Sequence, residues 1–230
     1  MKQDQLYDVW WKERYEGEQR MEDEHVRHWE KVLGTIVEED IQNCAVLDFG
    51  CNQGGFLRYL YGKRPFREGI GIDLARQSIA VANERKGDAP LYYEATGSPE
   101  EFPHRFDLAF SISVMYLIAD LEEHTRKIRQ ALKPGGVYYA TYTDYRDNPS
   151  LPHIQAKINE NGALPMNLHT LDDISKPFMQ AGFQVGIQRM KPESFIAISP
   201  NERWFLQVAD RIQYEYEQAY IFRFVAPDQA

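Results

Sequence analysis

Residues 46–57, VLDFGCNQGGFL, constrain the fold of this chain more than any other segment. An apolar run ends at Asp48, glycines follow at 50, 54 and 55, and apolar residues resume at Phe56 and Leu57. That is a strand, a tight turn and the start of a helix. Glycines in such a turn adopt backbone conformations closed to other residues and let a ligand approach the main chain. Asn52 stands where a further glycine is expected, and asparagine tolerates left-handed conformations better than most residues.

Around this segment two kinds of stretch alternate. Short runs rich in β-branched and aromatic residues predict strands at 44–49, 69–73, 91–94, 106–112, 136–143, 183–190 and 219–226. Amphipathic stretches separate most of them. Val26, Trp29, Leu33, Ile36 and Val37 lie three or four residues apart, as do Leu121, His124, Ile128, Ala131 and Leu132, and so do Leu171, Ile174, Phe178 and Ala181. Such steps place each set on one face of a helix. Thr170 with Asp173 forms a capping-box pattern that starts the third helix. Lys133-Pro134-Gly135-Gly136 ends the second.

The alternation predicts an α/β fold: three layers, doubly wound, on a mostly parallel seven-stranded sheet with a C-terminal antiparallel strand. The 230 residues suit a single domain. It divides into an N-terminal helical cap or lid over 1–40, a cofactor-binding half over 41–144 and a substrate-side half over 145–230. Residues 145–169, rich in Pro, Asn and His, read as a long loop, and a helix is expected from Asn201.

The segment GIGIDL ends a second strand on Asp73, 25 residues after Asp48. A carboxylate there can accept hydrogen bonds from two ribose hydroxyls, at close to the ~20-residue separation expected of a nucleotide-binding βαβ unit. Dinucleotides and S-adenosylmethionine both suit the arrangement, and Asp48 discriminates between them. It would repel a pyrophosphate seated on the loop but attract the ammonium and sulfonium of S-adenosylmethionine.

In sequence order, VLDFGCNQGGFL, GIGIDL, FDLAFSISVMYLI and IRQALKPGGVYYATY resemble four motifs of the class I, seven-stranded S-adenosylmethionine-dependent methyltransferases. They span about residues 44–143. The resemblance implies that Asp48, Gly50, Asn52 and Gly54 meet the methionine half of the cofactor, that Asp73 holds the ribose, and that Leu74 lies against the adenine. Many members have an acidic residue after the third strand for the adenine amine. This chain has EATGS there, which puts Ala95 or Thr96 at that place. Ser111 and Tyr116 fall where the family makes cofactor and substrate contacts, and the N-P-P-Y type motif of enzymes that methylate nucleic-acid amines is absent.

The implied activity is methyl transfer to an oxygen or nitrogen of a small-molecule acceptor. Such a displacement depends mainly on alignment and needs no catalytic triad. A base is required only for an acceptor that arrives protonated, and His153, His169 and Tyr116 are the candidates. YDVWWKERYEG resembles the lid segments of small-molecule methyltransferases, which would bring Trp11, Arg14 and Tyr15 to the cofactor, with Trp10 beside them. Trp204 and nearby aromatic residues would wall the acceptor site or pack in the core. No metal site is expected, since His25 and His28 have no evident third partner.

With 35 acidic against 26 basic residues, nucleic acid is a disfavoured partner. Two cysteines and no apolar run of ~18 residues point to a cytoplasmic protein without a membrane span, monomeric or homodimeric. Three other readings stay open: an RNA or protein methyltransferase, a non-catalytic S-adenosylmethionine-binding protein, and a nicotinamide oxidoreductase, against which Asp48 argues.

Overall fold

The computed structural model describes residues 5–12 and 16–228, with side chains along the first helix from His25 onward. Its centre is a seven-stranded sheet: β1 (Ala45–Phe49), β2 (Glu68–Asp73), β3 (Leu91–Ala95), β4 (Phe106–Ser111), β5 (Leu132–Thr143), β6 (Gln184–Arg189) and β7 (Ala219–Val225). The spatial order is β3-β2-β1-β4-β5-β7-β6. Neighbours are parallel from β3 through β5, and β7 runs antiparallel to both β5 and β6. The predicted sheet, including its antiparallel C-terminal strand, is therefore observed.

Successive residues along each strand serve opposite faces, as strand geometry demands. Val46, Leu108, Phe110 and Tyr139 pack against helices α1 (Glu16–Thr35), α2 (Gly55–Lys63) and α3 (Arg76–Arg85). Leu47, Ile72, Ala109 and Tyr138 pack against α4 (Leu121–Ala131) and α6 (Leu171–Gln180). The capping box at Thr170 forms in full: Asp173 N–H donates to Thr170 Oγ1 at 2.9 Å and Thr170 N–H to Asp173 Oδ2 at 2.8 Å. The Lys133–Gly136 turn becomes a bulge inside β5, where the pairing with β4 jumps from Phe106–Leu132 to Leu108–Val137.

Three expectations are corrected. The N-terminal 40 residues are not helical throughout. Residues 5–12 form an extended strap, and the helix stops at Thr35, which leaves Val37 exposed. The supposed loop 145–169 contains α5 (Leu151–Asn161), opened by Pro152 in its first turn and anchored by Ile154 and Ile158, four residues apart and buried. The helix expected from Asn201 is the shorter α7 (Val208–Gln213), which continues into a π-helical turn, Tyr214–Gln218.

α5 and this last segment enclose a third, smaller core. Ile154, Ile158, Met166 and Phe205 form it, and Trp10, Tyr116 and Trp204 pack at its edge. Polar groups fasten it internally: Ser150 Oγ donates to Asp210 Oδ2 at 2.6 Å, and Asn148 Nδ2 donates to the Asp210 carbonyl at 3.0 Å. Both acceptors are on α7, so these bonds tie α7 to the start of α5.

Candidate active site

The chain turns left to β2 and β3 from β1, then returns to β4 on its other side. Open α/β sheets bind ligands at that switch, beyond the carboxyl ends of the strands. A cavity of about 500 Å³ lies there, within the size range of small-molecule sites.

Its first wall is the β1–α2 loop. The N–H groups of Gly50 and Cys51 both donate to the Ile72 carbonyl, at 2.8 and 3.0 Å, which fastens the loop to the end of β2. Gly50 has φ 78° and Asn52 φ 47°, both left-handed. Asp73 fixes the same loop: Oδ2 accepts from Asn52 N–H at 2.9 Å and Oδ1 from Ala75 N–H at 2.8 Å. These two bonds orient the carboxylate of Asp73 at the end of β2, on the cavity wall.

Asp48 also lines the cavity, although it is 2% exposed, and its Oδ2 is a buried oxygen without a hydrogen-bond partner. Burial, reinforced by the neighbouring charge of Asp73, pushes its carboxyl up to about 8. An orphaned buried carboxyl oxygen at a cavity wall calls for a donor or a cation.

The opposite wall comes from the turn after β4 and from α4. Asp120, Glu123, His124 and Lys127 share one helical face and line the cavity. His124 Nε2 lies 2.9 Å from the Tyr138 hydroxyl, and its ring meets Phe49 edge-on at 4.8 Å. Burial, with Lys127 nearby, lowers His124 to about 3, so the imidazole is neutral. Lys127 pairs with Glu100 at 3.5 Å.

The strap 5–12 crosses between the two halves. Tyr7 N–H donates to the Leu74 carbonyl and Arg76 N–H to the Tyr7 carbonyl, at 3.0 and 2.9 Å. Further along, Lys12 N–H donates to Asn161 and Ala163 N–H to Trp10, both at 2.9 Å. The strap thereby brings Tyr7, Trp10 and Trp11 to the cavity, where Tyr116, Leu164 and Trp204 join them.

Of the residues singled out in the sequence, Asp48, Gly50, Asn52, Asp73, Leu74, Thr96, Trp11 and Tyr116 line this cavity. Arg14 and Tyr15 lie outside the described residues. Five others lie away from it. Gly54 caps α2 with φ 72°, and a Cβ there would come within 2.4 Å of the Tyr93 ring, so this glycine serves packing. Ala95 is engaged in β3, paired with Asp73. Ser111 is fully buried at the end of β4. His153 Nε2 faces the Arg203 carbonyl at 2.9 Å. His169 Nε2 faces the Ile118 carbonyl at 2.8 Å, while its main chain exchanges two hydrogen bonds with the Tyr142 hydroxyl. Both histidines are engaged with backbone, so of the three base candidates read from the sequence Tyr116 alone lines the cavity. Burial raises its hydroxyl well above the usual range, which opposes ionisation.

Sequence reasoning missed the α4 face. Residues 120, 123, 124 and 127 have the helical spacing that would reveal it, but attention to the apolar face concealed it. His25 lines the cavity, whereas burial holds His28 neutral, at about 3, with its Nε2 unpartnered.

Residues 47–138 match the family model described as a methyltransferase domain. The chain is 28% identical over 123 residues to the fatty-acid O-methyltransferase of Mycolicibacterium smegmatis, covering 51% of this chain and 43% of the relative. It is 27% identical over 133 residues to the trans-aconitate 2-methyltransferase of Variovorax paradoxus, covering 57% and 50%. The chain thus spans about half the length of these curated relatives. Among solved structures, it resembles the methyltransferase partner of the Haloferax volcanii Trm112 methyltransferase activator. That match has a TM-score of 0.76 and 18% identity, and covers 92% of this chain and 95% of the other. The methyltransferase-domain match thus covers the part of the chain that carries β1 to β5, and the whole chain shares the Rossmann-like fold of the solved methyltransferase structures it resembles.

Proposed function

We propose that this chain catalyses methyl transfer from S-adenosylmethionine to an oxygen or nitrogen of a small-molecule acceptor. One observation carries the reading: Asp48 and Asp73, at adjacent strand ends, line one cavity, and Asp48 holds a buried oxygen with no partner. A cationic nucleoside without phosphate fits this pair of carboxyls, and a dinucleotide does not. Asp73, already oriented by two backbone amides, would accept the ribose hydroxyls. Leu74 and Thr96 would bound the adenine, and Asp48, Gly50 and Asn52 the methionine half.

When bound, the cofactor supplies an electrophilic methyl group on a sulfonium. The chain's own work is alignment and exclusion of water. The β1–α2 loop would fix one reactant, the strap and the third core would bound the other, and partly buried Tyr116 would shield the space between. Residues 41–144 would act as the cofactor half and 145–230 as the acceptor half of a single catalytic unit. The small-molecule reading is supported by the enclosure of the cavity behind the strap and by the chain's net charge of −9, which disfavours nucleic acid. The free thiols Cys44 and Cys51 support a reducing, cytoplasmic setting. Among the described residues, no helix is long and apolar enough to cross a membrane.

Calorimetry with S-adenosylhomocysteine and with NAD tests the reading. Micromolar binding of the first, none of the second, and a loss of about 100-fold or more in Asp73→Ala are expected, because that variant removes both the ribose acceptor and the anchor of the loop. Failure to bind S-adenosylhomocysteine would overturn it.

A further inference from the structure

We propose that the acceptor is a neutral, electron-rich aromatic molecule of the phenol class, packed against the indole of Trp204. The acceptor oxygen takes the methyl group while its O–H proton passes to a carboxylate of the cavity wall, Asp120 or Glu123. This rests on the methyl-transfer reading of the same cavity and extends it to a substrate class.

The charge lining the cavity comes first. Its described residues include four carboxyl side chains: Asp48, Asp73, Asp120 and Glu123. They include one ammonium, Lys127, which is already paired with Glu100. Asp48 holds its proton up to about pH 8 and Glu123 is paired with Arg126 at 2.6 Å, so the negative field rests on Asp73 and Asp120, and an anionic acceptor would enter a field of its own sign.

The aromatic wall comes second. Trp11 lies 6.0 Å from Trp204 and 6.3 Å from Trp10, with ring planes tilted by 52° and 48°. Three indoles at such angles offer both faces and edges to a flat guest, and aromatic pairs favour offset or edge contacts of this kind. Tyr116 and Leu164 complete a wall without a formal charge.

Lys157 decides between a neutral ring and a cation. It does not line the cavity, yet its ammonium sits 5.3 Å from the centroid of the Trp204 ring. Its Nζ donates to the Arg203 carbonyl at 3.1 Å, which holds it in place. A cation over an indole draws on the same π density that a second cation would need. The ring is therefore a poorer host for a cationic acceptor and a better partner for an electron-rich ring.

The test uses the full chain saturated with S-adenosylhomocysteine. Calorimetry and tryptophan-fluorescence quenching would compare 2-naphthol, octanoate, trans-aconitate and benzyltrimethylammonium. Binding of 2-naphthol about ten-fold tighter than the other three is expected, with a loss of about ten-fold in Trp204→Ala. Trp204→Phe, which keeps a ring, should retain most of the affinity and covers the case in which the alanine variant does not fold. Lys157→Gln is the sharper variant, because it removes charge without opening the wall. It should weaken 2-naphthol about three-fold and strengthen benzyltrimethylammonium by a similar factor. Tighter binding of either anion or of the cation, no response to Lys157→Gln, or no binding of any probe would overturn the assignment. Binding of S-adenosylhomocysteine is measured first. If it fails, the methyl-transfer reading falls and this one with it; if it succeeds and 2-naphthol fails, only the acceptor class is lost.

Discussion

The two ends of the cavity are built on different principles. The strand-tip end is made of backbone: left-handed Gly50 and Asn52, amides tied to Ile72, and a carboxylate that holds both the Asn52 and Ala75 N–H groups. The far end is made of side chains from four distant segments: Trp10 and Trp11, Tyr116, Leu164, and Trp204. A backbone-built site is rigid and depends on a few conformations that only certain residues adopt. A side-chain-built site can be re-lined without disturbing the fold, provided volume is kept. The first end therefore suits a ligand that stays constant, the second one that varies between proteins of the same fold.

The sharpest way to break this contrast is Gly50→Ala. Gly50 has φ 78°, and a Cβ there would lie 2.5 Å from Cγ2 of Val114, a β-branched side chain with little freedom to move. Left-handed strain and the overlap together should cost about 3 kcal/mol. Thermal unfolding should then fall by about 8 °C, with cofactor binding lost as well. Trp204→Phe at the other end should shift the midpoint by less than about 3 °C. Equal tolerance at both positions would remove the distinction.

Asp48→Asn sharpens the contrast through pH. The Asp48 carboxyl is raised from the ordinary 3.8 to about 8 by burial and by the charge of Asp73. Between those values the folded protein keeps a proton that the unfolded chain gives up, so the residue makes stability fall as pH rises from about 4 to about 8. Asparagine removes that slope. The ligand-free variant should match the parent near pH 4 and exceed it most near pH 8, by about 3 °C or more in midpoint. Its affinity for S-adenosylmethionine should nonetheless drop about ten-fold, because a neutral amide is a weaker partner for an ammonium or sulfonium. In the parent, the bound cation favours the ionised carboxyl, so affinity should rise with pH up to about 8 and flatten in the variant. A calorimetric pH series decides; parallel profiles would show that Asp48 does not meet the cation.

How far each end is legible in the sequence follows from its construction. A backbone-built site is local in the chain, so Asp48, Gly50, Asn52 and Asp73 could be picked out within two short motifs, and all four line the cavity. Gly54 shows where that reasoning stops: it shares a motif with Gly50, but what requires a glycine there is the ring of Tyr93, 39 residues away. Strands show the same locality, since their period-two pattern is set by immediate neighbours. α5 was hidden because its two buried anchors, Ile154 and Ile158, give too short a stripe to outweigh the Pro and Asn around it. The far wall was legible in part: Trp10, Trp11, Tyr116 and Trp204 stood out by residue type and place, whereas Leu164 had no local signature. His153 and His169 looked suitable for chemistry by type, yet each ring is engaged by a carbonyl from another segment, Arg203 and Ile118.

The strap reaches both ends, and the smallest expected effect tests whether it couples them. Tyr7 N–H donates to the Leu74 carbonyl beside the ribose position, while Trp10 and Lys12 make main-chain bonds to the end of α5. Proline at position 7 cannot donate, so Tyr7→Pro removes the bond on the cofactor side, together with the Tyr7 ring that lines the cavity, and leaves the main-chain bonds on the acceptor side in place. One hydrogen bond of this kind contributes about 1 kcal/mol, or about five-fold in affinity. If the strap moves as a unit, binding of S-adenosylhomocysteine and of 2-naphthol should both weaken by at least about that factor, although Trp10, Trp11 and Trp204 are unchanged. If only the nucleoside weakens, the two ends are energetically separate and the strap merely spans them.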